Sequence, residues 1–329
     1  MGCGGTSDGA RSGKVARGGL DVRRDGTILG AVVENATATG RLAPGLRGAV
    51  IIPAHDEAAV IGRTLTALSP LTALPGVEII VVANGCRDDT ASIARGFVGV
   101  TVIEVERGSK TLALNTGDAV AREWPRLYLD ADVSMAPTAV LALFTALADP
   151  GTLAVRAYYA YDIAGATWPV RAYYRARARI TAPANRLWGA GGYALSAHGH
   201  ARFARFPEVT ADDSWVDELF AEQEKRAVAT VPAIVRTPRT APALLSVLTR
   251  QRRGCEELGT PARPAPRLVA LAASVRGPVS AIDAACYVLL TLVARRRAAG
   301  IVRRGGAVWE RDGSSRVDPV RVDCARTAS

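Results

Sequence analysis

From Gly48 onward, apolar runs alternate with stretches of helical period. Ala49-Val50-Ile51-Ile52 is apolar throughout. Ala58–Leu68 follows, with Ile61, Leu65 and Leu68 spaced to share one helix face. Val77–Val82 is a second apolar run, and Ala91–Arg95 begins a short helix. Thr101–Val105 predicts a third strand, Thr111–Arg122 a helix and Leu127–Leu129 a fourth strand. Strands without polar alternation are covered on both faces, and alternation of strand with helix predicts a parallel sheet. The fold class is therefore α/β, a Rossmann-like, mostly parallel sheet with helices on both faces. In such sheets ligands bind beyond the carboxyl ends of the strands.

Each of those four strand ends leads into a polar loop. The loops read Pro53-Ala54-His55-Asp56-Glu57, Asn84-Gly85-Cys86-Arg87-Asp88-Asp89-Thr90, Glu106-Arg107-Gly108-Ser109-Lys110 and Asp130-Ala131-Asp132. One such loop is explained by helix capping, since Asp and Thr are good caps. Four on one sheet edge call for a ligand. The last is the most telling. Two carboxylates one residue apart at the end of a buried strand need a cationic partner. A hard ion such as Mg²⁺ or Mn²⁺ takes carboxylate oxygens and shares them with substrate phosphates. The pair thus suggests a metal–diphosphate site; its bland alternative is an Asp-capped turn.

The second half is less periodic. Trp168–Ile180 reads as a helix carrying Arg171, Arg175, Arg177 and Arg179. Gly189-Ala190-Gly191-Gly192 is a turn that could bring backbone close to a ligand. Ala211-Asp212-Asp213-Ser214-Trp215 precedes a helix running through Phe220. Its carboxylates either favour the helix dipole or supply a general base. Arg250, Arg252 and Arg253 lie within Leu248–Gly254, able to meet a diphosphate or to form a solvated face.

Composition narrows the partners. Net charge is +10, hydrophobic content 49% and charged content 22%, which describes a globular chain that favours anionic ligands. Aromatics make up only 5%, too few for base stacking, so nucleic acid is not expected. The five cysteines show no C-x-x-C spacing, which argues against zinc and disulfides and for a reducing, cytosolic setting. High Ala, Arg and Gly usage suggests a bacterial source. The N-terminus has no apolar core of a signal peptide, and Met1–Thr6 formally fits a myristoylation pattern but also a Gly-rich start. Residues 1–47, with one apolar piece at Ile28–Val33, read as a loosely ordered extension, 48–260 as the main domain and 261–329 as a helical segment with a basic tail. Val279–Ala294 is largely apolar, with Arg295, Arg296, Arg297, Arg303 and Arg304 following. It is too short to span a bilayer. Two readings stand: peripheral association with an anionic membrane, on its cytoplasmic face, or a helix docked on the domain.

Taken in order, these motifs resemble the family 2 glycosyltransferases of the GT-A fold, over about residues 48–260. The resemblance rests on Ile51–Glu57, Val82–Thr90, Ser109–Asn115, Asp130–Asp132, Gly191–Ser196 and Ala211–Asp213. It implies an inverting enzyme using a nucleotide-diphosphate sugar donor and a hydroxyl acceptor, with residues 48–135 as the nucleotide-sugar half and 136–260 as the acceptor half. Pro53, Ala54 and Glu57 would line the base and ribose pocket. Asn84 stands where many members have an Asp that contacts the base, with Asp88 in the same loop. Lys110 would approach the phosphates, and Asp130 and Ala131 the ribose or sugar. Asp132, with Asp130, would hold the metal. Asp213 matches the catalytic base, with Asp212 beside it. Gly191, Gly192, Arg250 and Arg253 would lie on the diphosphate and acceptor side. The roles are chemically separate: the leaving diphosphate needs cations, whereas the attacking hydroxyl needs a carboxylate base opposite.

Two other functions fit less of the chain. A sugar-phosphate nucleotidyltransferase would want a Gly- and Arg-rich loop after the first strand, where Pro53–Glu57 stands. A non-catalytic nucleotide-sugar binding protein would not need Asp130, Asp132 and Asp213 together.

Overall fold

The computed structural model describes residues 45–180, 185–259 and 264–303. The expected extension over residues 1–47 and the tail beyond 303 therefore lie almost wholly outside the described residues.

The first half follows the hydrophobic pattern closely. Strands β1 (Gly48–Ala54), β2 (Val77–Asn84), β3 (Val100–Val105) and β4 (Arg126–Leu129) are parallel, in the order β3-β2-β1-β4. Between them run α1 (Ile61–Leu68), α2 (Thr90–Arg95) and α3 (Lys110–Val120). The alternation of strand side chains explains the two-sided burial. Val50, Ile52, Ile79 and Val81 pack on one face with Ile61, Leu65 and Leu68 of α1. Ala49, Ile51, Ile80 and Val82 pack on the other with Ala113 and Leu114 of α3. β3 departs from the expected apolar strand: it is the sheet edge, and Thr101 and Glu104 are exposed. In the parallel register Ala54 sits beside Ala83 and Asn84 beside Val105, so the loops leave the sheet at one level.

The second half is mixed. After β5 (Val133–Ser134) and α4 (Pro137–Ala146) come β6 (Ala154–Asp162), α5 (Trp168–Arg179), β7 (Gly192–Leu195), α6 (Ala197–His200), α7 (Asp212–Glu218) and β8 (Lys225–Arg236). They complete an eight-stranded sheet in the order β3-β2-β1-β4-β7-β6-β8-β5. β7 is antiparallel to both β4 and β6, and β6 is parallel to β8. The short antiparallel β7 is what lets residues 189–192 return to the end of β4.

Three helices close the chain: α8 (Ala241–Glu257), α9 (Pro264–Ala273) and α10 (Pro278–Arg303). α10 is longer than the apolar run Val279–Ala294 implied, and it docks on the domain. Val170, Tyr173 and Tyr174 of α5, Leu244 and Leu248 of α8, and Tyr287, Leu290 and Ala294 of α10 form one apolar cluster. Tyr173 and Tyr287 stack with ring centres 4.9 Å apart. Asp283 is buried and held by Arg175 at 2.6 Å and Arg179 at 3.0 Å. Burial opposes the Asp283 charge, but the hydrogen bonds and attraction of these two guanidiniums hold its carboxyl below the ordinary range.

Candidate active site

A cleft of about 260 Å³ opens at the end of β4. It is lined by Pro53, Lys110, Leu114, Tyr128, Leu129, Asp130, Gly191, Gly192, Tyr193, Asp212 and Asp213. Seven of the residues singled out in the sequence thus meet: Pro53 after β1, Lys110 at the start of α3, Asp130 after β4, Gly191 and Gly192 at β7, and Asp212 and Asp213 at the start of α7.

Lys110 is the centre of the cleft. Its ammonium lies 2.8 Å from Asp130 Oδ1 and 2.9 Å from Asp212 Oδ1, joining the first half of the chain to the second. The helix places it there: Ser109 caps α3, its hydroxyl accepting from the Leu112 amide at 3.3 Å. Burial works against the charge, yet Asp130, Asp212 and Asp213 together push the Lys110 ammonium well above its ordinary range, so it stays protonated.

The adjacent carboxylates differ. Asp212 is fully buried and already satisfied, accepting from Tyr193 Oη at 3.0 Å as well as from Lys110. Asp213 is only partly buried. Its oxygens accept from the Ser214 amide at 2.7 Å and the Gly189 amide at 3.2 Å. Burial first, and then repulsion from Asp212, push the Asp213 carboxyl up to about 6, with Lys110 pulling the other way. Both oxygens of Asp212 are thus held, by Tyr193 and Lys110, whereas a carboxyl raised as that of Asp213 is has the chemistry of a proton acceptor near neutral pH. Both lie in the first turn of α7, not ahead of the helix as the sequence suggested; two acidic residues there suit the helix dipole. Tyr193 was missed as a functional residue. The signal was its place beside Gly191 and Gly192, with β7 alternation turning it to the α3 side.

Gly191 is required by close approach. Its φ is +68°, and a Cβ there would lie 2.3 Å from Val133 Cγ2. The carbonyl of Gly191 accepts from the Asp130 amide at 2.8 Å, which fixes the turn carrying the two carboxylates. Asp132 sits in that same turn, partly buried, between β4 and β5. Ala131 is buried, its carbonyl accepting from Thr64 Oγ1 at 2.7 Å.

The other predicted residues stand around the cleft and not in its lining. Asn84 is buried, and its amide ties the ends of β1 and β2 to the loop after β3. Nδ2 donates to the Ala54 carbonyl at 2.8 Å, and Oδ1 accepts from the Ser109 amide at 3.1 Å. An Asp would set an acceptor against the Ala54 carbonyl, which accounts for the amide at this position. Asp88 joins the same loops, accepting from the Ala58 amide at 3.1 Å and the Thr90 amide at 3.0 Å. Asp56, Cys86 and Asp88 crowd together beside it. Glu57 is buried, its amide donating to Thr90 Oγ1 at 2.7 Å. Arg250 and Arg253 lie on α8, outside the cleft lining. Gly254 brings that helix in: a Cβ there would meet Ala211 Cβ at 2.8 Å, next to Asp212.

Comparison with known proteins places this geometry. The family model described as "Glycosyl transferase family 2" matches residues 49–202. Over that stretch, just under half of the chain, the sequence is similar to family 2 glycosyltransferases. The matched range takes in the cleft residues from Pro53 to Tyr193, and the α/β sheet agrees with the GT-A fold the motifs implied. Asp212 and Asp213 lie just beyond the matched range. A search of curated proteins returns no match. Among solved structures, the mannosyltransferase PcManGT from Pyrobaculum calidifontis, in complex with GDP-Man and Mn²⁺, is 22% identical, covering 80% of this chain and 76% of that one at a TM-score of 0.49. Staphylococcus aureus TarS residues 1–349 with UDP-GlcNAc is 14% identical, covering 80% and 93%, at a TM-score of 0.45. Glucosyl-3-phosphoglycerate synthase from Mycobacterium tuberculosis with UDP is 21% identical, covering 73% and 88%, at a TM-score of 0.46.

Proposed function

We propose that this glycosyltransferase moves a sugar from a nucleoside-diphosphate sugar to an acceptor hydroxyl in a single inverting displacement, with a divalent ion on the diphosphate. The observation that carries the reading is the shared cleft of Asp213 and Asp130, bridged through Lys110 and Asp212. It supports a proton acceptor at Asp213 and a diphosphate-side carboxylate at Asp130, linked through the Lys110 ammonium and Asp212.

The donor set suits Mg²⁺ or Mn²⁺. Asp130 and Asp132 share the turn after β4, and carboxylate oxygens are what a hard cation takes, together with diphosphate oxygens. Asp132 would hold the ion, with Asp130 sharing it while paired to Lys110. The bound ion would neutralise charge on the departing diphosphate. Asp213 takes the acceptor proton as the hydroxyl oxygen attacks the anomeric carbon; the bond to the diphosphate oxygen breaks, and the nucleoside diphosphate leaves. Attack opposite the leaving group inverts the anomeric centre. Lys110, held protonated, stabilises the charge developing between Asp130 and the leaving group. Asp212 holds Lys110 in place and keeps Asp213 basic.

The test is a screen of nucleotide sugars for metal-dependent release of nucleoside diphosphate, repeated with Asp132→Ala. Release that requires Mg²⁺ or Mn²⁺ and is lost in Asp132→Ala is expected. Full turnover in excess chelator, or in Asp132→Ala, would remove the metal role. Tight donor binding by calorimetry without any turnover would favour the non-catalytic binding protein. Pyrophosphate-dependent cleavage of the donor would favour the nucleotidyltransferase.

A further inference from the structure

The C-terminal helices carry a second feature, independent of the cleft. α10 has two unlike faces. Asp283, Tyr287, Leu290, Ala294 and Ala298 point into the domain and are buried. On the side turned away Ile282, Leu289 and Leu292 are 55%, 62% and 47% exposed, and Val279 at the start of the helix is 65% exposed. Leu268 and Val269 of α9 and Val275 of the connecting turn are exposed as well. Of the twelve large apolar side chains exposed among the described residues, seven fall within residues 268–292. Clustering of this kind marks an interaction surface, whereas scattered exposure would not.

Charge narrows the partner. Between Arg276 and Arg295 the only charged residue is Asp283, and it is turned inward between Arg175 and Arg179. The outer face is therefore apolar without interruption, and Arg295, Arg296 and Arg297 follow at its end, with Arg296 and Arg297 exposed. An apolar stripe with a basic rim matches the interface of an anionic bilayer, where headgroups meet the rim and acyl chains the stripe. A second copy of the chain would bring further Arg and no neutralising acid. Length and composition alone would let Pro278–Ile301 cross a membrane. The inward face argues against crossing, because it is packed on α5 and α8 from Asp283 to Ala294.

We propose that the outer face of α9 and α10 seats this protein on an anionic membrane surface, with α10 lying in the plane of the bilayer. The domain then has a fixed stance, since α10 packs on α8 and Gly254 of α8 packs on Ala211 beside the acidic pair.

The experiment is sedimentation of the full chain with vesicles of phosphatidylcholine mixed with phosphatidylglycerol, and of phosphatidylcholine alone, at low and high salt. Binding to the anionic vesicles, weakened by salt, is expected. Leu289→Ser with Leu292→Ser should lower partitioning about tenfold or more, since each removes a bilayer-buried leucine. Arg296→Glu with Arg297→Glu should lower it at low salt and matter less at high salt. Both pairs are on the surface, so an unchanged melting temperature accompanies each result. A full chain that stays in the supernatant with both vesicle types overturns the proposal. So does a stable dimer that Leu289→Ser with Leu292→Ser dissociates, which would assign the face to a second copy. Vesicle binding gained only on removing residues 1–44 overturns it too, by assigning the face to the chain's own N-terminal residues.

Discussion

The two halves of the sheet are held together by different chemistry. Residues 48–135 cohere through apolar strands sandwiched between apolar helix faces, with Val50 and Ile52 on one side and Ala49 and Ile51 on the other. The second half depends more on buried charge. Asp217 is fully buried and accepts from Arg186 Nη1 at 2.6 Å, Lys225 Nζ at 2.8 Å and the Leu187 amide at 2.9 Å. Asp212 and Asp283 are likewise buried anions with cationic partners. The first half is a sheet sandwiched between apolar helix faces, and the second sets individual charges one by one.

That contrast can be broken most forcefully at Asp213. Asp213→Asn keeps the shape and removes the proton acceptor. We predict a loss of about 10²–10⁴-fold in turnover with donor affinity retained. Asp212→Asn should act through Lys110 placement instead. If Asp212→Asn is the dead variant and Asp213→Asn turns over normally, the two roles are reversed.

Next in size is Asp217→Ala. Lys225 and Arg186 would lose a buried partner, and removing one member of such a cluster costs about 3–5 kcal/mol. Denaturant unfolding measures it. A loss below about 1 kcal/mol, the range of an exposed pair, would mean that charge does not hold the second half.

A smaller effect is expected in the first half. Asn84→Asp should cost about 1–3 kcal/mol, the cost of leaving a buried carbonyl and its neighbour unsatisfied. If Asn84→Asp is neutral in stability, the loops are held by something other than this amide. The smallest effect is the pH response. Asp213, raised to about 6, acts as a base only when deprotonated. Turnover should therefore be about half-maximal near pH 6, level off about one unit higher and fall about tenfold per unit well below it. The stability effect has its own sign: the folded chain holds this proton more tightly than the unfolded chain, so stability falls as pH rises from the ordinary Asp range to about 6. Asp213→Asn should abolish both trends, and a flat wild-type profile across that range would contradict the assignment.

The same contrast decides what could be read from the sequence. The first four strands, their parallel order and the polar loops at their ends were legible, because buried strands and amphipathic helices leave periodic marks. β3 was less so, since an edge strand keeps polar positions such as Thr101 and Glu104. The second half left few marks. Asp217 with Lys225, and Asp283 with Arg175, are joined only by tertiary folding, and no spacing along the chain announces them. For the cleft, the acidic and basic residues were found by type and order. Tyr193 was not, because an aromatic residue on a strand reads as core until its hydroxyl is placed 3.0 Å from Asp212. The role of Asn84 as a tie between loops was equally hidden, since both of its partners are backbone groups.

Asn84 has a consequence for motion. Its side chain bonds the last residue of β1 and the loop after β3, and its own backbone is the last residue of β2. Three segments that share one amide do not loosen separately; they come undone as a unit. We expect these three segments to open together. Amide hydrogen exchange at Ser109 should report the same opening free energy as the rest of this unit. Any stepwise adjustment to a substrate is left to the other wall of the cleft, where the positions are set by separate side chains.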